Sequence, residues 1–93
     1  MQATGTVIRE IDLATAPAFL ESMCDAIDAA TDRTVFVDCS DIIFMDSSAV
    51  HAFFDARDHA RRQDRVIVIR GLAENCARVV RICDPRKQIT LEA

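Results

Sequence analysis

The sequence contains little of what marks membrane, secreted or low-complexity proteins. It has no Trp or Tyr, only two Gly and two Pro, and no apolar run near the roughly 20 residues that span a bilayer. The first ten residues lack the basic start and apolar centre of a signal peptide. With 51% apolar and 28% charged residues among 93, the chain is predicted to be one globular domain in the cytoplasm, with no membrane contact.

Metal and disulfide signatures are also missing. The cysteines form no C-x-x-C pair, and neither His51 nor His59 clusters with them as a zinc site would require. Each cysteine lies in a segment of apolar pattern, which predicts small, reduced core residues and no bound metal or other cofactor. The four are Cys24, Cys39, Cys76 and Cys83.

Positive charge is scarce in the first half of the chain. Residues 1–46 carry two basic side chains, Arg9 and Arg33, against nine acidic ones, whereas residues 47–93 carry nine against six. Solvated helix faces account for this distribution, and a mildly basic face for an acidic partner is the functional alternative. The net charge of −4 and the lack of Trp and Tyr disfavour direct binding of nucleic acid.

Strand and helix signals alternate along the chain. Thr15 can cap the first helix and Pro17 suits its first turn, and Gly71 ends the clearest strand. The alternation predicts an α/β fold, with a mostly parallel central sheet of about four strands and flanking helices. Strands are predicted over residues 6–9, 34–39, 65–70 and 88–91, and helices over residues 15–30, 47–63 and 73–83.

A polar triplet lies where the second strand hands over to the second helix. Asp46, Ser47 and Ser48 follow the apolar run of residues 42–45, and functional residues of parallel α/β sheets gather at such handovers. With Asp46 as the N-cap, both serines lie in the first helical turn, where the helix dipole accommodates a phosphate. The competing interpretation is a plain helix cap, because Asp and Ser are preferred cap residues.

Catalytic and nucleotide-binding interpretations have little support. No histidine is obviously placed to activate either serine, since His51 lies about one turn along the same helix. The chain has neither a G-x-S-x-G elbow nor an S-x-x-K motif, and it lacks the Gly-rich loop and the lysine of a P-loop. The sequence therefore predicts a binding module and not an enzyme.

Two segments resemble the STAS family, which includes the bacterial anti-sigma-factor antagonists. Residues 37–49, VDCSDIIFMDSSA, resemble the family's F-M-D-S-S-G signature at the start of a helix, and residues 10–17, EIDLATAP, resemble its upstream element. The intervening and following helices and strands fall in the family's order. The likeness predicts a single STAS-like domain over residues 1–93, short at both termini.

The resemblance implies a binding protein controlled by phosphorylation. In such antagonists the bare protein binds an anti-sigma factor that is a serine kinase and frees the sigma factor. The kinase then phosphorylates the serine matching Ser48, and a phosphatase resets it. The alternative is a STAS scaffold subunit of a signalling or transporter assembly that is never phosphorylated. The partner-binding residues on this interpretation are Asp12, Phe44, Met45, Asp46, Ser47 and Ser48.

Several of these residues have structural alternatives. Phe44 and Met45 could instead fill the core under the second helix, and Asp12 could cap a turn. The chain also departs from the family pattern, with Arg9 and Ala49 at positions where the family usually has glycine. The short ends would expose apolar surface and a sheet edge, which predicts a domain that pairs with itself or a partner, or a trimmed domain of altered function.

Overall fold

The computed structural model describes residues 8–92. Strands and helices alternate through this range as the sequence predicts, except that a short additional strand directly follows the second one. All three helices and three of the four predicted strands form within two residues of their predicted bounds. None of the helices in this range is long and apolar enough to cross a membrane. The elements are β1 (Glu10–Ile11), α1 (Ala16–Ala29), β2 (Thr34–Asp38), β3 (Phe44–Met45), α2 (Ser47–Arg61), β4 (Val66–Arg70), α3 (Glu74–Cys83) and β5 (Thr90–Leu91).

All strand pairs in the described part of the chain are parallel, which confirms the predicted α/β class. The sequence predicts one sheet of about four strands, whereas the five strands of the described residues form two sheets. A three-stranded sheet has the order β2–β4–β5, and β1 pairs with β3 in a separate two-stranded sheet. β3 comes from the apolar run of residues 42–45, for which the sequence pattern predicts no strand.

The first predicted strand is misplaced. Residues 6 and 7 of the predicted range 6–9 lie outside the described residues, and Ile8 and Arg9 are not part of a strand. The ladder begins at Glu10, which pairs with Phe44. The Ile43 N–H donates to the Arg9 carbonyl oxygen at 2.8 Å, so the contact between these segments starts at Arg9 and continues toward the carboxyl ends of the two strands.

The core lies between the helices and the inward-facing side chains of the sheets. Phe19 of α1 and Phe53 of α2 pack edge to face, with ring centroids 5.5 Å apart. Such aromatic pairs contribute about 0.5–1.5 kcal/mol beyond the area they bury. The helices approach closely because α2 presents small residues on its buried face, namely Ala49, Ala52, Ala56 and Ala60.

The prediction that every cysteine belongs to the core is wrong for Cys83, which is exposed, and Cys24 is only partly buried. The buried positions of α3 are Cys76 and Val80, four residues apart. The next position in that series is Asp84, so Cys83 turns outward at the helix end. Cys39 and Cys76 are buried, and desolvation raises the pKa of the Cys39 thiol to about 12, which keeps it protonated and unreactive at neutral pH.

Asp84 closes the turn between α3 and β5. The residue is only 4% exposed, and its two carboxylate oxygens accept hydrogen bonds from the Gln88 N–H at 2.9 Å and the Ile89 N–H at 2.8 Å. Its carbonyl oxygen accepts from the Lys87 N–H at 3.0 Å. Asp84 thus accepts hydrogen bonds from three backbone N–H groups of the turn, which have no partner within a helix or a strand.

Gly71 ends β4 with a φ of +81°, in the left-handed region. A Cβ at this position would lie 3.0 Å from both the Asp38 Oδ1 and the Ser40 Cβ, and 3.1 Å from the Ser40 backbone nitrogen. Gly71 therefore lets the end of β4 approach the turn that follows β2.

Gly71→Ala is expected to lower the free energy of unfolding by about 2 kcal/mol, because alanine meets both the unfavourable φ and the close contacts. Urea unfolding followed by circular dichroism measures the change. Gly71→Asn is the control, since asparagine tolerates positive φ and isolates the contacts. A loss under about 0.5 kcal/mol for the alanine variant would contradict the described geometry.

Candidate functional site

The β1–β3 ladder aligns two of the predicted site residues. Ile11 pairs with Met45 in parallel register, so Asp12 and Asp46, which come next in each chain segment, leave the ladder at the same edge. The Asp46 N–H donates to the Ile11 carbonyl oxygen at 3.1 Å, which ties the start of α2 to the end of β1. The two motifs that resemble the STAS family therefore meet in space.

Asp46 is the N-cap of α2, as the sequence predicts. Its backbone is extended, with φ −111° and ψ −169°, and its Oδ1 accepts the Ser48 N–H at 2.8 Å. The caps of helices are worth about 1 kcal/mol. Ser47 is exposed and Ser48 is partly buried, as the first two residues of α2. Both hydroxyls thus lie at the positive end of the helix dipole.

Asp12 organises the turn that leads into α1. Its Oδ1 accepts the N–H groups of Ala14 at 3.0 Å and Thr15 at 3.1 Å. Thr15 is the N-cap residue of α1, as the sequence predicts, but its side chain makes no cap hydrogen bond to the helix. Its hydroxyl instead donates to the Glu10 carbonyl oxygen at 2.8 Å and accepts the Asp12 N–H at 2.9 Å. Asp12 therefore has the turn-capping role that the sequence allows as an alternative, while it remains exposed beside Asp46.

An apolar groove of about 350 Å³ runs between the first turns of α1 and α2 and reaches Ser48. Leu13 stands at its mouth and is 81% exposed, the largest exposed fraction among the large apolar side chains of the described part of the chain. Burying such a side chain contributes about 1.5–3 kcal/mol. The groove is lined by Leu13, Ala16, Pro17 and Leu20 on the α1 side and by Ser48, His51, Ala52 and Asp55 on α2.

The two apolar residues of β3 point in opposite directions, as successive strand residues do. Met45 is 2% exposed and belongs to the core, whereas Phe44 is 47% exposed. The neighbouring Ile43 is also exposed, and its carbonyl oxygen accepts the Asn75 Nδ2 at 3.1 Å, which holds this segment against α3. Phe44 is thus available to a partner, and the core-filling alternative describes Met45.

The structure therefore brings Asp12, Asp46 and Ser48 to one end of the molecule and places Met45 beneath them. Leu13 and His51 border the same site and were not singled out as binding residues from the sequence. Leu13 lies in the segment EIDLATAP, but no pattern marks it as exposed. Within residues 8–92, no three His, Cys, Asp or Glu side chains come together in a way that could hold a metal ion.

Comparison with known proteins identifies the class. The chain belongs to the STAS domain family, whose family model matches residues 6–93. No curated protein matched the chain in sequence. A Thermotoga maritima protein, provisionally described as an anti-sigma factor antagonist, has a crystal structure of the same fold with a TM-score of 0.72. The two sequences are 14% identical, and the match covers 89% of this chain and 71% of the other.

Proposed function

We propose that this protein is an anti-sigma-factor antagonist that binds an anti-sigma factor, itself a serine kinase, while Ser48 is bare. Phosphorylation of Ser48 releases the kinase, and a phosphatase restores the binding form. On this proposal the protein acts in the cytoplasm of a bacterium, regulates transcription through the sigma factor, and catalyses no reaction of its own.

The observation that carries the proposal is the position of Ser48 between a polar and an apolar surface. The Ser48 N–H donates to the Asp46 Oδ1 at 2.8 Å. Ser48 also lines the apolar groove, together with the exposed Leu13. An apolar surface of this kind gives a partner binding energy. A phosphate in the same place would add a charge of about −1.5 to −2 next to the Asp46 carboxylate.

The two serines differ in their position relative to the apolar groove. Both residues are at the start of α2, where a phosphate is compatible with the fold because the helix dipole and the first-turn N–H groups favour negative charge. Ser48 borders the groove, however, whereas Ser47 is exposed and does not line it. The proposal therefore assigns the switch to Ser48 alone.

The test is phosphopeptide mapping of the protein purified from its own host during growth and under stress. We expect phosphate on Ser48, with an occupancy that changes between the two conditions, because docking at the groove brings this hydroxyl to the kinase. Ser48→Ala is expected to abolish the modification and Ser47→Ala to retain it. Absence of phosphate in every condition would favour the alternative, a constitutive scaffold subunit, and leave Asp46, Ser47 and Ser48 as a helix cap.

A further inference from the structure

A second groove lies at the opposite end of α2 from Ser48. Arg61 ends this helix, and at a rise of 1.5 Å per residue it lies roughly 20 Å from Ser48. The groove has a volume of about 400 Å³, which is in the range of small-molecule sites. Its charged lining consists of four arginines and one aspartate, a formal charge of +3: Arg33, Arg57, Arg61, Arg65 and Asp64.

Four separate stretches of the chain contribute to this lining. Arg33 precedes β2, Arg65 precedes β4, and Gln88 and Thr90 lie just before β5 and at its first residue. Arg57 and Arg61 are four residues apart on α2 and so share one face of the helix. The arginines therefore converge through the fold and do not form a run in the sequence.

Only one of the four arginines is fully engaged in holding the fold. Arg65 donates to the Ile27 carbonyl oxygen at 2.7 Å and to the Gln63 Oε1 at 3.0 Å, which ties the start of β4 to the end of α1. Arg65 therefore fixes the position of the groove wall. The guanidinium groups of the other three arginines are the candidates for binding a ligand.

Those three arginines have weak partners or none. The Arg33 Nε lies 4.0 Å from the Asp64 Oδ1, and both side chains are largely exposed. Arg57 lies 3.9 Å from Asp58, its neighbour in the sequence. Arg61 has no hydrogen bond or ion pair within residues 8–92. Long, solvent-screened pairs of this kind contribute little to stability, so a better anionic partner would displace them readily.

A structural role explains only part of this cluster. Positive side chains in the last turn of a helix interact favourably with its dipole, and that accounts for Arg61. It does not account for Arg33, which is on a loop, or for Arg57, which lies one turn earlier. The Arg57 side chain is 29% exposed and lines the groove wall.

We propose that this groove binds a small phosphate-bearing anion. Guanidinium groups hydrogen-bond phosphate oxygens in pairs, and three of them around one groove match two linked phosphates. Gln88 and Thr90 add neutral hydrogen-bonding groups at the β5 side. A small molecule is favoured over nucleic acid because the chain as a whole has a net charge of −4, which repels an extended polyanion. The site does not depend on the function of Ser48.

The test is titration of the ¹⁵N-labelled full chain with inorganic pyrophosphate at constant ionic strength, followed by amide chemical shifts. We expect saturable shifts confined to residue 33 and its neighbours and to residues 57–67 and 88–90. Arg61→Gln and Arg33→Gln, both at exposed positions, are each expected to weaken binding at least tenfold. Arg57→Lys keeps the charge but not the paired donors, and is expected to weaken it as well. Arg78→Gln on α3 is the matched control and is expected to bind as the wild type does.

Three outcomes would overturn the proposal. One is the absence of saturable shifts, and a second is an equal loss of affinity in Arg78→Gln, which would indicate a general charge effect. The third is tighter binding of a DNA duplex than of pyrophosphate under the same conditions, with shifts that spread beyond the groove, which would indicate a nucleic-acid surface. Loss of pyrophosphate binding in Arg61→Gln with unchanged phosphorylation of Ser48 would show that the two sites are independent.

Discussion

Phosphorylation of Ser48 is expected to weaken binding of the kinase about a hundredfold, and Ser48→Asp is expected to act in the same direction. The new charge would lie near the Asp46 carboxylate and at the edge of the apolar groove, where a docked partner excludes water. Desolvation and like-charge repulsion of about 2–3 kcal/mol are enough for this loss. Once the kinase has been isolated by its binding to the bare protein, its calorimetric titration with the bare protein, the phosphoprotein and the variant measures the effect.

The matched control is Ser47→Asp, which places the same charge one residue earlier on an exposed side chain. We expect it to bind within a few-fold of the wild type. Both aspartate variants should unfold at nearly the same urea concentration as the wild type, because negative charge is tolerated at a helix N-terminus. Unchanged kinase binding by the Ser48→Asp variant and the phosphoprotein would refute the switch and support a constitutive scaffold.

Asp84→Ala is expected to lower the free energy of unfolding by about 3 kcal/mol. Asp84 is 4% exposed and its carboxylate accepts two backbone N–H groups. Its removal therefore leaves the Gln88 and Ile89 donors without partners, and one of them is buried. Hydrogen bonds to charged groups contribute about 1.5–3 kcal/mol, and a buried donor without a partner costs about 1–3 kcal/mol. Urea unfolding followed by circular dichroism is suitable, because the chain has no Trp or Tyr for fluorescence.

Two further variants separate the hydrogen bonds from the general effect of losing a carboxylate. Asp84→Asn keeps one acceptor oxygen and is expected to lose about half as much as the alanine variant. Asp32→Ala removes a carboxylate that is exposed in the loop between α1 and β2, and is expected to change stability by less than about 0.5 kcal/mol. Equal stability of Asp84→Ala and Asp32→Ala would contradict the role assigned to Asp84.

Local sequence signals predicted the helices and the cap well. Asp46 was placed correctly because a cap is decided by a few neighbouring residues, and the apolar spacing on α2 needed no information from the rest of the fold. The spacing alone does not distinguish Ser48 from Ser47. The family resemblance implies that Ser48 is the serine that is phosphorylated.

Features that depend on distant contacts were not predictable in this way. β1 and β3 have two residues each, which is too short for a period-2 pattern, and they exist because each supplies the other's hydrogen bonds. The exposure of Leu13 and the convergence of Arg33 with Arg57 and Arg61 also arise from packing between separate elements. The prediction that Cys83 is buried is wrong because the buried positions of α3 are spaced by four residues and continue to Asp84, which leaves Cys83 on the exposed side.

The parallel pairing of all the described strands has a consequence for how the chain folds. Parallel neighbours cannot be joined by a tight hairpin and need a crossover between them, so no pair of strands can form before an intervening segment has been brought back across the sheet. β4, α3 and β5 make the shortest such unit, over residues 66–91, and the Asp84 turn lies inside it. Because loop closure is the first cost of forming non-local contacts, this unit is the natural place for the three-stranded sheet to begin, with β2 added to an edge of β4 that already exists.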